Sequence, residues 1–300
     1  MSNGPTSFLD LKSLSKTQIL NLFERARQLK AKPGKLLTTG ERVALLFFEP
    51  STRTRMSFES AAYRFGLGPL VFDGGPNTSL EKGETVEDSV LNVAAMGPRF
   101  LVVRCGDAVD LEALSKLVSM PILNAGWGVK GHPTQALLDV FTVQENLVHL
   151  EGLRFLILGD VRHSRVAASH FELLSKLGVE VGICGPDEFM VQNPQAKIFT
   201  DLEQALSWAQ VAMALRVQFE RHGVGNVGQE SKELYRQKFG LSSRSLRAFS
   251  KDGIILHPGP INHGIELETE VLSDPRCRVL EQVKNGVFVR EALLRELYEN

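Results

Sequence analysis

Five consecutive residues, Ser51-Thr52-Arg53-Thr54-Arg55, offer hydroxyl and guanidinium donors shortly after an apolar stretch, Val43 to Phe48, and before a helical pattern from about Met56 to Phe65. A helix N-terminus carries unpaired backbone N–H groups and partial positive charge, so three kinds of donor converge on one point where an anion is stabilised. Arg53 can add a bidentate pair to phosphate oxygens. Capping by Ser51 or Thr52 accounts for the hydroxyls alone, but arginines in a first helical turn oppose the macrodipole unless an anion offsets them. The segment therefore predicts an anion site. No Gly-x-x-x-x-Gly-Lys-Ser/Thr sequence accompanies it, which removes the P-loop reading.

A second candidate is the glycine-rich loop Asn124 to Gly131 and the helix start His132-Pro133-Thr134-Gln135, where His132 and Gln135 are three apart across a first turn. A lone histidine is more often structural or simply exposed. At a strand-to-helix turn beside Gln135, it reads as a site residue.

The elements that must position these groups alternate. An amphipathic helical pattern from Leu9 to Leu29 is followed by strands at Val43–Phe48, Phe100–Val103 and Pro121–Asn124, then a helix from Thr134 to Gln144. A second series opens with Arg154–Leu158 and continues through Val179–Cys184, Val211–Leu215 and Gly253–Leu256. Such alternation predicts parallel sheets with helices on both faces, and ligands beyond the carboxyl ends of the strands. The expected fold is α/β: two similar-sized doubly wound domains, each a mainly parallel sheet flanked by helices, with the active site in the cleft between them. The domains are placed at residues 1–148 and 149–285. After Leu158 the chain reads Gly159-Asp160-Val161-Arg162-His163-Ser164-Arg165, a strand-turn-helix layout without the dinucleotide fingerprint, so no cofactor is expected.

Composition bounds the remaining classes. Apolar residues are 43% and charged residues 23% of 300, ordinary globular values that exclude a disordered or fibrous chain. Thirty-four Lys and Arg against 35 Asp and Glu leave a net charge of -1, so no global field favours nucleic acid or an anionic membrane, and an anionic ligand needs a local cluster of cations. The longest apolar run, Val43 to Phe48, is far below the ~18 residues of a membrane span. Cys105, Cys184 and Cys277, an odd count without paired spacing, argue against a disulfide framework or a zinc site, and no metal is expected. With no basic-apolar leader at Met1 to Pro5, reduced thiols point to a cytoplasmic protein.

The residues also resemble a known family, the aspartate and ornithine carbamoyltransferases. Phe48-Glu49-Pro50-Ser51-Thr52-Arg53-Thr54-Arg55 is similar to their carbamoyl phosphate signature and His132-Pro133-Thr134-Gln135 to the second one. His257-Pro258-Gly259-Pro260, with Arg216-Val217-Gln218 upstream, resembles the aspartate branch rather than the ornithine branch. The likeness runs from Phe8 to Asn285-Gly286-Val287-Phe288-Val289-Arg290 with order and spacing kept. There are departures: Trp127 stands where an acid is usual, Gly131 where a larger residue is common, and Cys105 where His is frequent.

The resemblance implies transfer of a carbamoyl group from carbamoyl phosphate to the amine of L-aspartate, giving N-carbamoyl-L-aspartate for pyrimidine synthesis. Ser51, Thr52, Arg53 and Thr54 would bind the phosphate, with Arg53 stabilising it as it leaves. Arg104, Thr54 and His132 would polarise the carbonyl oxygen, and Gln135 with the backbone carbonyls of Pro258 and Gly259 would orient the carbamoyl nitrogen. Arg165, Arg216 and Gln218 would hold the two carboxylates of aspartate. Ser79 and Lys82, in the stretch Ser79 to Thr85, would reach the active site of a neighbouring subunit, although their composition alone reads as a solvated turn. The implied partners are further copies of the chain in a ring of three, with regulatory chains or dihydroorotase as alternatives to a trimer that stands alone. The resemblance also implies a cis Gly259-Pro260 bond and a C-terminal helix, about 286–300, returning to the first domain. The competing readings are a carbamoyltransferase for another amino acid such as ornithine, whose cationic side chain would call for acids in place of the arginines, and a non-catalytic homologue.

Overall fold

The computed structural model describes residues 7–75, 78–147, 149–193, 195–217 and 229–299. Contacts divide the chain into two compact units, one running to Leu138 and taking in the chain from Val283 onward, the other Asp139–Gln282. The limit of the first unit at Leu138 falls inside a helix.

In the first unit the helix α1 (Lys16–Ala31) starts later than the apolar pattern from Leu9 predicts. Ser15 explains the difference: its hydroxyl accepts from the Gln18 N–H while the Gln18 side chain accepts from the Ser15 N–H, a capping box that sets the helix start. Upstream, Phe8 instead pairs with Leu123 as an isolated parallel bridge. The sheet then takes β1 (Arg42–Phe47), β2 (Gly68–Asp73), β3 (Phe100–Cys105) and β4 (Ile122–Trp127) in the order β2-β1-β3-β4, every pair parallel. Strands β1, β3 and β4 are near-continuous apolar runs because they are covered on both faces. Strand β2 escapes the sequence pattern because it is an edge, half-exposed along its length, and tolerates Pro69 for that reason. Helices α2 (Arg53–Phe65), α3 (Val86–Ala95), α4 (Leu111–Leu117) and the start of α5 (Pro133–Asn146) flank the sheet.

The second unit holds a five-stranded, wholly parallel sheet of β5 (Arg154–Leu158), β6 (Glu180–Cys184), β7 (Ala196–Phe199), β8 (Val211–Ala214) and β9 (Ile254–Leu256), ordered β7-β6-β5-β8-β9. Helices α6 (Arg165–Lys176), α7 (Leu202–Trp208) and α8 (Gln229–Phe239) belong to it. The edge strand β7 was not expected from sequence; four residues with two exposed leave too little pattern to read.

Helix α9 (Val279–Glu299) starts well before residue 286, and its residues from Val283 belong to the first unit. There Glu291 accepts from Arg64 Nε at 2.6 Å and from Arg295 Nε at 3.1 Å, and the Tyr298 hydroxyl donates to Glu41 at 2.7 Å.

In both sheets the chain adds strands to one side and then reverses. The reversal falls between β1 and β3 in the first unit and between β5 and β8 in the second. Open parallel sheets bind ligands outside the carboxyl ends of their strands at these switch points.

Candidate active site

Strand β1 delivers the segment Phe48 to Thr52 to the first switch point, where α2 begins at Arg53. The helix therefore starts earlier than Met56, and Arg53, Thr54 and Arg55 lie in its first turn. Thr52 takes the N-cap position with φ -80° and ψ -58°, and its side chain makes no capping hydrogen bond. No capping side chain and no acidic residue occupies the positive end of α2. Arg53 is exposed, yet the surrounding protein desolvates its guanidinium enough to lower its pKa below the ordinary arginine value. Arg55 turns to Asp73, with Nη1 3.1 Å from the carboxylate.

Thr54 is buried, and its hydroxyl oxygen lies 3.4 Å from Nε2 of His132, also buried. The two predicted residues, 78 positions apart in sequence, thus meet side chain to side chain. His132 occupies the last position before α5, and Pro133 follows as the first helical residue, where its fixed φ suits the helix and its missing N–H costs nothing. The carbonyl of His132 accepts from the N–H groups of Gln135 and Ala136 at 3.0 and 3.2 Å. Gln135 is buried in the same turn.

Arg104 is inside β3 rather than just beyond it, opposite Phe47 of β1, and its carbonyl accepts from the Phe48 N–H at 2.9 Å. Its Nε lies 3.6 Å from the carboxylate of Glu49. Sequence reasoning assigned Glu49 no part, though it sits within the anion segment; its partner follows from β1 and β3 being neighbours, which spacing alone does not reveal.

Arg290 is a second residue without an assigned part. It is buried, with Nη1 donating to Ser57 of α2 at 2.8 Å, Nη2 donating to Thr134 of α5 at 3.4 Å, and its guanidinium 5.1 Å from the Phe58 ring centre. It fastens the two helices that present Arg53, Thr54, His132 and Gln135. A Cβ on Gly286 would come within 2.7 Å of Arg290 Nη1, so a glycine there leaves space for the guanidinium.

The loop before His132 is tied internally. The Trp127 N–H donates to the Gly131 carbonyl at 3.0 Å, the Trp127 indole donates to the Val109 carbonyl at 2.8 Å, and the Val129 N–H donates to Asp107 at 2.8 Å. Lys130 places its ammonium 3.9 Å from the Trp127 ring centre. Gly126, Gly128 and Gly131 fall at the spacing of a dinucleotide fingerprint, but Gly126 lies within β4 and these N–H groups already have protein acceptors. Gly128 has φ +44°, and an added Cβ would fall 1.8 Å from Asp107 Oδ1. Gly128→Ala is therefore expected to lower stability by about 3 kcal/mol, measured by urea unfolding, because Asp107 must give up Val129.

In the second unit the predicted residues follow β5 and β8. Gly159 (φ +105°) turns the chain after β5, Asp160 is buried and lies 2.8 Å from His163 Nδ1, and Ser164 caps α6 by accepting from the Ala167 N–H at 3.1 Å. Arg165 then opens α6 and is half-buried. Arg216 follows β8, with Nε 3.4 Å from Oδ1 of Asn262. Gln218 lies outside the described residues. Pro258 and Gly259 follow β9, and the Gly259-Pro260 bond is cis as expected. Ser79 and Lys82 bound a short 3-10 turn closed by Gly83, and Lys82 is exposed. Burial raises the Cys184 thiol to about 12, with Asp201 adding to the shift, and burial raises Cys277 as well, so neither is a thiolate nucleophile at neutral pH.

The chain as a whole has known counterparts. Residues 6–145 match the family model described as aspartate/ornithine carbamoyltransferase, carbamoyl-P binding domain, and residues 151–297 match the Asp/Orn binding domain of the same family. The chain belongs to the aspartate/ornithine carbamoyltransferase family. Within it, the aspartate carbamoyltransferase catalytic subunit of Aliarcobacter butzleri is 44% identical over 288 residues, 95% of this chain and 96% of that one. The crystal structure of aspartate transcarbamoylase from Trypanosoma cruzi with carbamoyl aspartate and phosphate superposes with a TM-score of 0.86 at 28% identity, covering 97% of this chain and 95% of that chain. Ornithine carbamoyltransferase from Thermus thermophilus gives 0.84 at 26% identity, covering 98% and 99%. The fold is thus shared with proteins named for either acceptor, and the choice between them rests on residues. Among the described residues, no helix is long and apolar enough to cross a membrane.

Proposed function

We propose that this chain transfers the carbamoyl group of carbamoyl phosphate to the α-amine of L-aspartate, forming N-carbamoyl-L-aspartate and phosphate in de novo pyrimidine (UMP) biosynthesis. The observation that carries the acceptor is the pair of arginines at the second switch point, Arg165 after β5 and Arg216 after β8. Two carboxylates call for two guanidinium forks, whereas the cationic side chain of ornithine would be repelled there.

The amine lone pair attacks the carbonyl carbon and a C–N bond forms; the C–O bond to phosphate breaks with its electron pair on the phosphate oxygen, and the nitrogen passes a proton to that departing phosphate. Negative charge builds first on the carbonyl oxygen and then on the leaving phosphate. Arg104, Thr54 and His132 stabilise the first, and Ser51, Thr52, Arg53 and the N–H groups of α2 the second. Gln135 and the carbonyls of Pro258 and Gly259 hold the carbamoyl nitrogen, and Gln218 joins the arginines on aspartate. Orientation and preorganised charge supply the rate without a covalent enzyme intermediate. The presence of Arg53, Lys82, Arg104, His132 and Gln135 together favours a working enzyme over a non-catalytic homologue.

The trypanosomal aspartate transcarbamoylase has also been solved with N-(phosphonacetyl)-L-aspartic acid, which carries a phosphonoacetyl group on the nitrogen of aspartate and keeps both its carboxylates. Calorimetric titration of this chain with that compound is expected to show binding that Arg53→Ala and Arg216→Ala each weaken strongly. Binding unaffected by Arg216→Ala would remove the aspartate assignment.

Ser79 and Lys82 act in the site of a neighbouring subunit of a cytoplasmic homotrimer. Arg53→Ala and Lys82→Ala are each expected to be nearly inactive alone. After the two proteins are dissociated and reassembled together, each mixed trimer gains one intact site and activity returns. No recovery, with mixed trimers demonstrated by native mass spectrometry, would place Lys82 in its own subunit's site.

A further inference from the structure

Arg216 lies in a segment after β8 rather than on a helix or strand. A side chain from the segment after β9 meets it there. The Arg216 Nε–H donates to Asn262 Oδ1 at 3.4 Å, and the Nδ2 of the same amide donates to the Val217 carbonyl at 3.1 Å. Asn262 thus grips the guanidinium and the adjoining backbone together.

Asn262 is itself fixed from the core. Its N–H donates to Oε1 of Glu266 at 2.6 Å, and Glu266 is only 1% exposed. The same oxygen lies 3.3 Å from His257 Nε2. The Gly259 N–H donates to His257 Nδ1 at 2.8 Å, so Nδ1 is unprotonated and the ring proton sits on Nε2, facing Glu266. Behind His257, its N–H donates to Gln282 Oε1 at 3.0 Å and Gln282 Nε2 donates to the buried Asp139 at 2.6 Å. A continuous hydrogen-bonded series therefore runs from a buried carboxylate to the guanidinium.

Resting on the reading of Arg216 as a carboxylate-binding residue, we infer that Asn262 is a positioning residue for acceptor recognition, setting the plane of the Arg216 fork through Nε. An end-on bidentate pair to a carboxylate uses the two terminal nitrogens, an edge that the Asn262 bond does not occupy. Fixing the fork in advance removes part of the ordering cost that aspartate binding would otherwise carry.

Steady-state kinetics of the assembled enzyme tests this with Asn262→Ala, Arg216→Ala and the double variant. Asn262→Ala is expected to raise KM for aspartate about tenfold, as for a lost hydrogen bond to a charged group, with kcat and KM for carbamoyl phosphate near wild type. The same substitution is expected to add almost nothing once Arg216 is already alanine, because its effect passes through that side chain. Asn262→Asp, whose carboxylate competes with substrate for the guanidinium, is expected to raise KM for aspartate at least as far. If Asn262→Ala fails to assemble, Asn262→Ser serves in the same cycle. An unchanged KM for aspartate in Asn262→Ala, beside a raised one in Arg216→Ala, overturns the inference alone. Additive losses in the double variant, or a uniform fall in kcat and rise in both KM values, assign Asn262 a purely structural part and overturn it too. An unchanged KM in Arg216→Ala removes the underlying reading instead.

Discussion

Arg53→Ala is expected to lower kcat about 10²- to 10³-fold, the scale for removing one preorganised donor from a developing anion. Arg53 is exposed in the first turn of α2, and no side chain caps that turn. Its removal costs little stability, since exposed positions away from packing rarely do. The loss is expected in kcat more than in KM for carbamoyl phosphate, because charge on the bridging oxygen grows only as the C–O bond breaks, while Ser51, Thr52 and the helix N–H groups still hold the ground-state phosphate. Phosphate-release kinetics with unchanged thermal unfolding checks both halves. A raised KM with kcat intact would make Arg53 a ground-state anchor only.

The second large effect is at Arg104. Arg104→Ala is expected to lower kcat by at least about 10²-fold, since it removes a cation from the carbonyl oxygen and leaves the Glu49 carboxylate, 3.6 Å from Nε in the intact protein, without it. Glu49→Gln removes the carboxylate while keeping the shape, and its loss is expected to be smaller, about tenfold, through looser placement of the guanidinium. Glu49→Gln combined with Arg104→Ala is expected to be less impaired than Arg104→Ala alone, because no negative charge then faces the oxyanion. A double variant worse than either single one would mean that Glu49 serves the reaction independently of Arg104.

The chemistry of the first unit was legible because its donors are consecutive. Ser51 to Arg55 follow the apolar run Val43 to Phe48, so the strand, the turn and the helix N-terminus are visible together. Long-range pairings were not legible. Glu49 meets Arg104 only because β1 and β3 are neighbours, and Thr54 meets His132 only because α2 and α5 begin side by side. The central strands read clearly from their apolar runs, while β2 and β7 were missed as partly exposed edges. The early turns of α9 were missed for another reason: the buried residues there include Gln282 and Asn285, polar side chains that blur an apolar period although they are packed inside. Gln282 belongs to the hydrogen-bonded supports behind the site, behind His257, as does Arg290 further along α9, behind Ser57 and Thr134.

The substrate pair, carbamoyl phosphate and L-aspartate, is tested by incubating the purified chain with carbamoyl phosphate and either L-aspartate or L-ornithine, following ureido product and phosphate together. Stoichiometric formation of both products with aspartate, and no turnover with ornithine, is the expected result. Turnover with ornithine alone would keep the phosphate half of the site and contradict the acceptor assignment of Arg165 and Arg216, and phosphate release without ureido product would contradict transfer altogether.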